Sequence, residues 1–183
     1  MFSKLMIVEN NLITRNWGTA SYGLLLKEVN DVRIQNNLIV ENTVGITVEG
    51  SNRLEYLHND FTSNGYGIRV KGACYENKIF NNNFLYNSFD ISYNGRINDN
   101  EFNNNFWSNY TGYDLDKNGI GDVPYRPVKL FSYIVNRTPE TIILMRSLFI
   151  DIIDFSEKVS PVFTPDDLMD ENPRMKIIKH DRD

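Results

Sequence analysis

One repeat of about 22 residues constrains this chain more than any other feature. Asparagine marks it: residues 1–110 hold 22 Asn. Many fall in one recurring motif, Asn10-Asn11-Leu12, Asn36-Asn37-Leu38, Asn59-Asp60-Phe61, Asn82-Asn83-Phe84 and Asn104-Asn105-Phe106. Successive apolar members are 26, 23, 23 and 22 residues apart, and four residues before each stands another: Val8, Ile34, Leu57, Phe80 and Phe102. A second register places Gly23, Gly45, Gly67 and Phe89 at steps of 22. A fixed period of this length is the mark of a solenoid.

The period dictates the physics. Runs such as Gly45-Ile46-Thr47-Val48 and Gly67-Ile68-Arg69-Val70 alternate as strands do but are too short to stand alone. Stacked coils pair their backbones with the coils above and below and share one apolar centre. Asn suits the corners, because it tolerates left-handed backbone angles and bonds to nearby backbone groups. Asn side chains in register can also form ladders. The sequence therefore predicts an all-β parallel β-helix over residues 1–110, with Leu12, Leu38, Phe61, Phe84 and Phe106 stacked inside. The long first step predicts an outward loop near Trp17-Gly18-Thr19-Ala20. Residue 1 falls inside a coil, so the expectation is an N-terminally incomplete solenoid, any signal peptide having gone with the missing coils.

Composition removes several classes. The 183 residues are enough for one domain with a real core. Net charge is −5, which argues against general nucleic-acid binding. The lone Cys74 excludes an internal disulfide and a thiolate cluster, and reads as a small buried residue. No run of 18 apolar residues is present.

Residues 111–125 form a distinct Asp/Gly-rich loop. Asp114-Leu115-Asp116-Lys117-Asn118-Gly119-Ile120-Gly121-Asp122 has the spacing of the first nine positions of a calcium loop. Asp114, Asp116, Asn118, Asp122 and the Ile120 carbonyl are the candidate calcium ligands. Tyr125 stands where a bidentate Glu would complete such a loop, and a turn closed by its own side-chain-to-backbone bonds is the competing reading.

Residues 126–183 read as a helical cap and docking region with a tail. Thr138-Pro139-Glu140 starts a helix well, and Pro161 stops it after Ser160. Ile142, Leu144, Met145, Leu148, Phe149, Ile152, Ile153, Phe155 and Val159 cover roughly half its wheel and are expected to face the core. Ile143 and Ile150 sit among charges on the opposite side, which makes them the candidate partner-docking residues. A second short helix is expected from Thr164-Pro165-Asp166-Asp167, and the end from Ile178 to Asp183 is expected to fray.

The stretch Asn105 to Met175 resembles the C-terminal part of the NosD family. The residues that carry the resemblance are Asn105-Phe106-Trp107-Ser108-Asn109-Tyr110, Gly119-Ile120-Gly121-Asp122-Val123-Pro124-Tyr125-Arg126-Pro127-Val128, Leu130-Phe131-Ser132-Tyr133, Met145-Arg146-Ser147 and Phe163-Thr164-Pro165-Asp166-Asp167-Leu168. The aromatic-Asn and Gly-Ile-Gly-Asp part occurs in many β-helix proteins, whereas Arg126 to Asp167 is the specific part. The resemblance implies a right-handed β-helix in the periplasm, non-catalytic, that helps copper enter nitrous oxide reductase. It implies partners as well: an ABC-transporter permease with its cytoplasmic ATPase, through which the protein is peripheral to the membrane. Copper is the implied metal, and soft copper(I) wants clustered Met, Cys or His. Met169, Met175 and His180, close together in the tail, are the candidate copper ligands.

Two other classes compete. Polysaccharide-cleaving β-helices need two or three acids on neighbouring coils facing one groove. His58, Asp60 and Asp90 are the nearest approach, and Asp60 reads as a member of the Asn ladder, in the slot of Asn11, Asn37, Asn83 and Asn105. The remaining alternative is an extracytoplasmic carbohydrate-binding or surface β-helix with a calcium loop.

Overall fold

The computed structural model describes residues 4–94, 99–145, 147–159 and 168–180. Among these residues, fourteen strands wind into three parallel sheets. The first holds β1 (Lys4–Glu9), β4 (Asn30–Gln35), β7 (Glu55–Leu57), β10 (Lys78–Phe80) and β13 (Glu101–Asn103) in that order. The second runs β2 (Leu12–Thr14), β5 (Leu38–Val40), β8 (Asp60–Thr62), β11 (Asn83–Leu85) and β14 (Phe106–Trp107). The third holds β3 (Leu24–Lys27), β6 (Val44–Glu49), β9 (Tyr66–Lys71) and β12 (Phe89–Asn94). Each strand pairs with its counterpart in the next coil, so the chain is the expected parallel β-helix. Asn16 and Gly23 are seven residues apart where Asn42 and Gly45 are three, which places the expected outward loop at Trp17 to Ala20.

The register differs from the expected one by a single residue at three coils. The stacked column is Ile13, Ile39, Phe61, Phe84 and Trp107. Leu12 is 64% exposed, and Leu38 and Phe106 lie on the outer side with it. A one-residue slip turns a strand's side chains to the other face, so Leu12, Leu38 and Phe106 are not core. The matching column of the first sheet is Val8, Ile34, Tyr56, Ile79 and Phe102, which displaces Leu57 and Phe80. Phe61, Phe84 and Trp107 stack ring on ring at 4.8 and 4.3 Å between centroids.

The reason is the division of labour within each Asn pair. The residue before the corner adopts a left-handed backbone: Asn10, Asn36, His58, Asn81 and Asn104, at φ of 54–57°. The next one is the ladder rung: Asn11, Asn37, Asn59, Asn82 and Asn105. Asn37 shows the bonding. Its amide nitrogen donates to the carbonyls of Val8 and Gln35, both at 2.9 Å, and to the Asn59 side-chain oxygen at 2.9 Å. Its backbone N–H donates to that same oxygen at 3.0 Å. A second ladder, Asn16, Asn42, Asn64 and Asn87, bonds in the same way. An unsatisfied buried polar group costs about 1–3 kcal/mol, so each rung depends on the next coil being present. Asp60 is not a rung. It stands in register with Leu38 and Asn83, one residue past the ladder.

The glycine register is also displaced at its last member. Gly45 faces Gly67, and Gly67 faces Asp90 rather than Phe89. A Cβ on Gly45 or Gly67 would lie 2.6 Å from the carbonyl of the coil above, so glycine is required wherever another coil follows. Asp90 sits in the last of these coils, where residues 126–128 follow through the parallel bridge of Ile91 with Val128.

The open end beyond the last coil is covered by residues 125–128 and the tail, not by the helices. Tyr125 and Asp170 exchange two backbone hydrogen bonds, at 2.9 and 2.8 Å. Val128 and Leu168 are buried in the solenoid core, and Cys74 is buried there too, as expected. The expected single helix from Pro139 to Ser160 is two pieces, a 3-10 turn (Pro139–Leu144) and α2 (Leu148–Val159), and a further helix, α1 (Leu130–Arg137), precedes them. The turn ends in Met145, whose N–H bonds Ile142, and the Ser147 N–H bonds Leu144. These pieces lie on the flank of the coil stack, where Phe131, Val135 and Ile150 pack on Val44, Tyr66 and Phe89. The expected helix from Thr164 lies outside the described residues, as do residues 181–183 of the expected frayed end, whose first part is not frayed: the Ile178 N–H bonds the Asn83 side-chain oxygen at 2.9 Å.

Candidate functional site

The helical flank is the first candidate surface, and its polarity is inverted. Ile150, expected to face a partner, is 5% exposed and belongs to the flank cluster. Ile143, its expected companion, is 87% exposed. Of the nine residues expected to face the core, Met145 and Ile153 pack on the cluster, Ile142, Leu144, Leu148, Phe149, Ile152 and Phe155 are exposed, and the Val159 side chain lies outside those described. Two buried positions, three residues apart and backed by Met145, suffice to seat α2. Its wider apolar stripe therefore faces outward together with the 3-10 turn. Contiguous exposed patches of this kind mark interaction sites.

The Asp/Gly loop is the second. Asp114 accepts the N–H groups of Asn118 and Gly119, at 3.1 and 2.9 Å. Asp116 accepts the N–H of Asn118 and its side-chain amide, at 3.2 and 2.9 Å. The Asn118 side-chain oxygen accepts the Ile120 N–H at 2.7 Å, and Asp122 accepts the Leu115 N–H at 2.7 Å. Desolvation by itself would raise Asp114, but the Gly119 N–H, a hydrogen bond with Asp116 and the N–H groups of Asn118 and Lys117 hold its carboxyl below the usual range. The candidate calcium ligands thus spend their oxygens on the loop's own donors. Beside the loop, Gly112 and Gly121 sandwich Tyr110: a Cβ on either would lie 2.0 Å from its hydroxyl, which bonds the Val123 carbonyl at 2.6 Å.

The tail is the third. Asp170 is fully buried and takes the place of the next Asn rung. Its Oδ2 accepts the backbone N–H of Asn105 at 3.0 Å, the Asn105 side-chain amide at 3.0 Å and the Trp107 indole N–H at 2.9 Å. Burial raises its pKa, against those donors. From there the chain turns back along the second sheet. Asn83 clamps it, its oxygen accepting the Ile178 N–H at 2.9 Å and its amide donating to the Ile178 carbonyl at 2.8 Å. The next contact is His180. Its Nε2 lies 3.2 Å from Asp60 Oδ1, and its ring meets that of His58 edge-on at 5.4 Å. Its side chain is 3% exposed, and its Nδ1 is buried with no hydrogen-bond partner. Burial lowers the His58 pKa, with His180 adding to the effect.

Of the candidate copper ligands, Met169 belongs to the cap beside Asp170, and the Met175 amide bonds the Gly119 carbonyl. His180 lies beside the coils of Asp60 and Asn83, about three coil spacings of 4.8 Å from the level of Asp170. The histidine thus meets His58 and Asp60, a meeting that no sequence spacing could reveal. Among the described residues, no three His, Cys, Asp or Glu side chains are grouped to hold a metal ion. A cleft of about 650 Å³ runs along the first sheet. Its charges pair across coils, Arg33 with Glu55 and Arg53 with Asp31, as expected of a solvated face rather than an acid pair.

Comparison with known proteins gives the fold a family. Residues 1–112 match the family described as periplasmic copper-binding protein (NosD). A probable ABC transporter binding protein NosD of Pseudomonas aeruginosa is 28% identical over 136 residues, 69% of this chain and 30% of that protein. Another so named, from Stutzerimonas stutzeri, is 26% identical over 130 residues, 66% of this chain and 28% of that protein. The chain thus spans under a third of the length of these curated relatives. With over half its length matched, and with the solenoid geometry described above, it belongs to the NosD family of periplasmic copper-binding proteins.

Proposed function

We propose that this chain is a non-catalytic accessory protein for copper-site maturation of nitrous oxide reductase, docking on the permease of an ABC transporter. The observation that carries the docking is the outward apolar stripe of Ile143, Leu148, Phe149, Ile152 and Phe155. No helix among the described residues is long and apolar enough to cross a membrane, so a membrane protein is reached by contact, and this stripe supplies the contact. The relatives' names fit a transporter partner. Copper comes from the family description, and nitrous oxide reductase from the resemblance of residues 105–175.

The test is co-purification of the chain with a permease and ATPase from the same gene neighbourhood. Replacing Ile143 and Phe155 together by Glu should abolish recovery while leaving thermal stability close to wild type. Two unpaired charges in an apolar interface cost at least about 3 kcal/mol, which is roughly a hundredfold in Kd. Undiminished recovery of the folded double variant would refute the docking face.

A further inference from the structure

We infer that the cleft along the first sheet is a groove for an extended peptide segment of a partner protein. The segment bears an aliphatic side chain and, about six residues away, a basic one.

The solenoid builds the groove from two columns of outward side chains. One is the left-handed corner at the start of each coil, held by Leu5, Asp31, Arg53, Glu76 and Asp99 at φ of 44–58°. The other stands two residues on, where Ile7, Arg33, Glu55, Lys78 and Glu101 are in register. Between the columns lie inward residues such as Val32, whose side chains belong to the core, so the floor is backbone. That backbone is spent on pairing coil to coil, and a bound chain is therefore read by the side chains of the two walls.

The walls change character along the stack. At the first coil both are apolar, Leu5 being 86% and Ile7 61% exposed. At the second and third the charges neutralise one another, Arg53 with Asp31 on one wall and Arg33 with Glu55 on the other. At the fourth, Glu76 stands opposite Lys78. At the fifth both walls are acidic, Asp99 and Glu101, and among the described residues neither has a cation in ion-pair range. Elsewhere on the coils outward charges come in pairs, Arg15 with Glu41 and Lys27 with Glu49. Two carboxylates side by side repel, and a cation brought into the groove relieves them.

The spacing sets the ligand. From the first coil to the fifth is four steps of about 4.8 Å, and an extended chain rises about 3.3 Å per residue, so the two ends are about six residues apart. An even separation puts both side chains on one face of an extended segment, the face turned to the groove. Arginine suits the acidic end, because its fork of N–H donors can serve two carboxylates. A neutral or acidic glycan offers no cation there. The groove is separate from the helical flank, which packs on Val44, Tyr66 and Phe89 at the start of the third-sheet strands.

The experiment is fluorescence anisotropy on the whole chain with a labelled peptide. A leucine and an arginine are joined by a serine–glycine spacer that sets them six positions apart, with both ends blocked, and the peptide is made in both chain directions. One direction should bind, more weakly as salt rises from about 50 to about 500 mM. Asp99→Asn with Glu101→Gln keeps the corner and the volume, so this variant should melt with wild type. It should lose at least about fivefold in affinity, the worth of two exposed ion pairs. Leu5→Asn, at a corner that asparagine accepts, should weaken binding by about twofold or more. A peptide with glutamate in place of arginine should not bind. No binding in either direction overturns the groove, as does undiminished binding by the folded Asp99→Asn, Glu101→Gln variant. A neutral glucan oligomer that binds where the peptide does not overturns it too. Ile143→Glu with Phe155→Glu should leave peptide affinity unchanged; its loss there would put the peptide on the flank and overturn the groove.

Discussion

The coils and the helical flank use the same residue types in opposite ways. In the coils, Ile39, Phe61, Phe84 and Trp107 point inward, between outward residues that are polar at Asp60, Thr62, Asn83 and Ser108 and apolar at Leu38, Val40, Leu85 and Phe106. On the flank, α2 buries Ile150 and exposes Leu148, Phe149, Ile152 and Phe155. A coil has its partners supplied by repetition, above and below, so each inward apolar position finds a place, while outward ones such as Leu12 and Tyr86 stay exposed. The flank has no such repetition, and most of its apolar surface is left over. The difference teaches where to look for function: the repeat builds a scaffold, and surface that the scaffold does not absorb is available to a partner.

Two residues seven apart break or confirm this contrast. Ile150→Glu would bury a charge against Phe131 and Phe89 and should cost more than about 4 kcal/mol, or unfold the flank outright. Ile143→Glu should stay within about 0.5 kcal/mol of wild type. Chemical denaturation followed by circular dichroism measures both. Equal costs would mean that the flank is an ordinary packed helix pair.

The cap tests whether the ladder is a ladder to its end. Asp170→Ala leaves the Asn105 backbone N–H, one hydrogen of the Asn105 side-chain amide (the other bonds the Ile79 carbonyl) and the Trp107 indole without an acceptor. At about 1–3 kcal/mol per unmet buried donor, the loss should be about 3–5 kcal/mol. Asp170→Asn keeps an oxygen for those donors and should cost no more than about 1 kcal/mol, losing chiefly the weaker bond that Asp170 Oδ1 accepts from the Asn172 N–H at 3.2 Å. If Asn proved as damaging as Ala, the negative charge rather than the rung would be holding the cap.

The repeat was legible because every coil meets the same surroundings, so composition and spacing carry the period directly. Its exact register was not. In an Asn-Asn pair both members look alike, yet one turns the backbone and the other bonds the next coil. Aligning on the apolar residue after the pair was right at Phe61 and Phe84 and wrong at Leu12, Leu38 and Phe106. The rung at Asp170 was invisible for another reason: it meets Asn105 across 65 residues. Wheel position misled at Ile150, because a helix pattern shows which residues share a face but not which face is covered.

The seam between scaffold and flank gives the last prediction. Asp90 takes the glycine slot of the final coil, beside Asn87 and Asn109 and near Lys129, which leads into α1. Burial pushes its pKa from 3.8 up to about 6, against the pull of Asn87, Lys129 and Asn109. The sign follows from proton counts: between these two values the folded state holds the proton and the unfolded state has lost it. Stability should therefore fall as pH rises from about 4 to about 6, and stay lower above that. A shift of this size corresponds to about 3 kcal/mol. Asp90→Asn keeps the oxygen that accepts from Asn87 and cannot ionise. It should stabilise the protein at pH 7.5 by about 2 kcal/mol, the attraction of Lys129 being lost with the charge, and should flatten the profile between pH 4 and 6. Urea midpoints across that range measure both effects. A wild-type profile already flat there would mean that Lys129 holds Asp90 ionised and that the seam is an ion pair. In that case Asp90→Asn should destabilise, by removing the carboxylate charge that attracts the Lys129 ammonium.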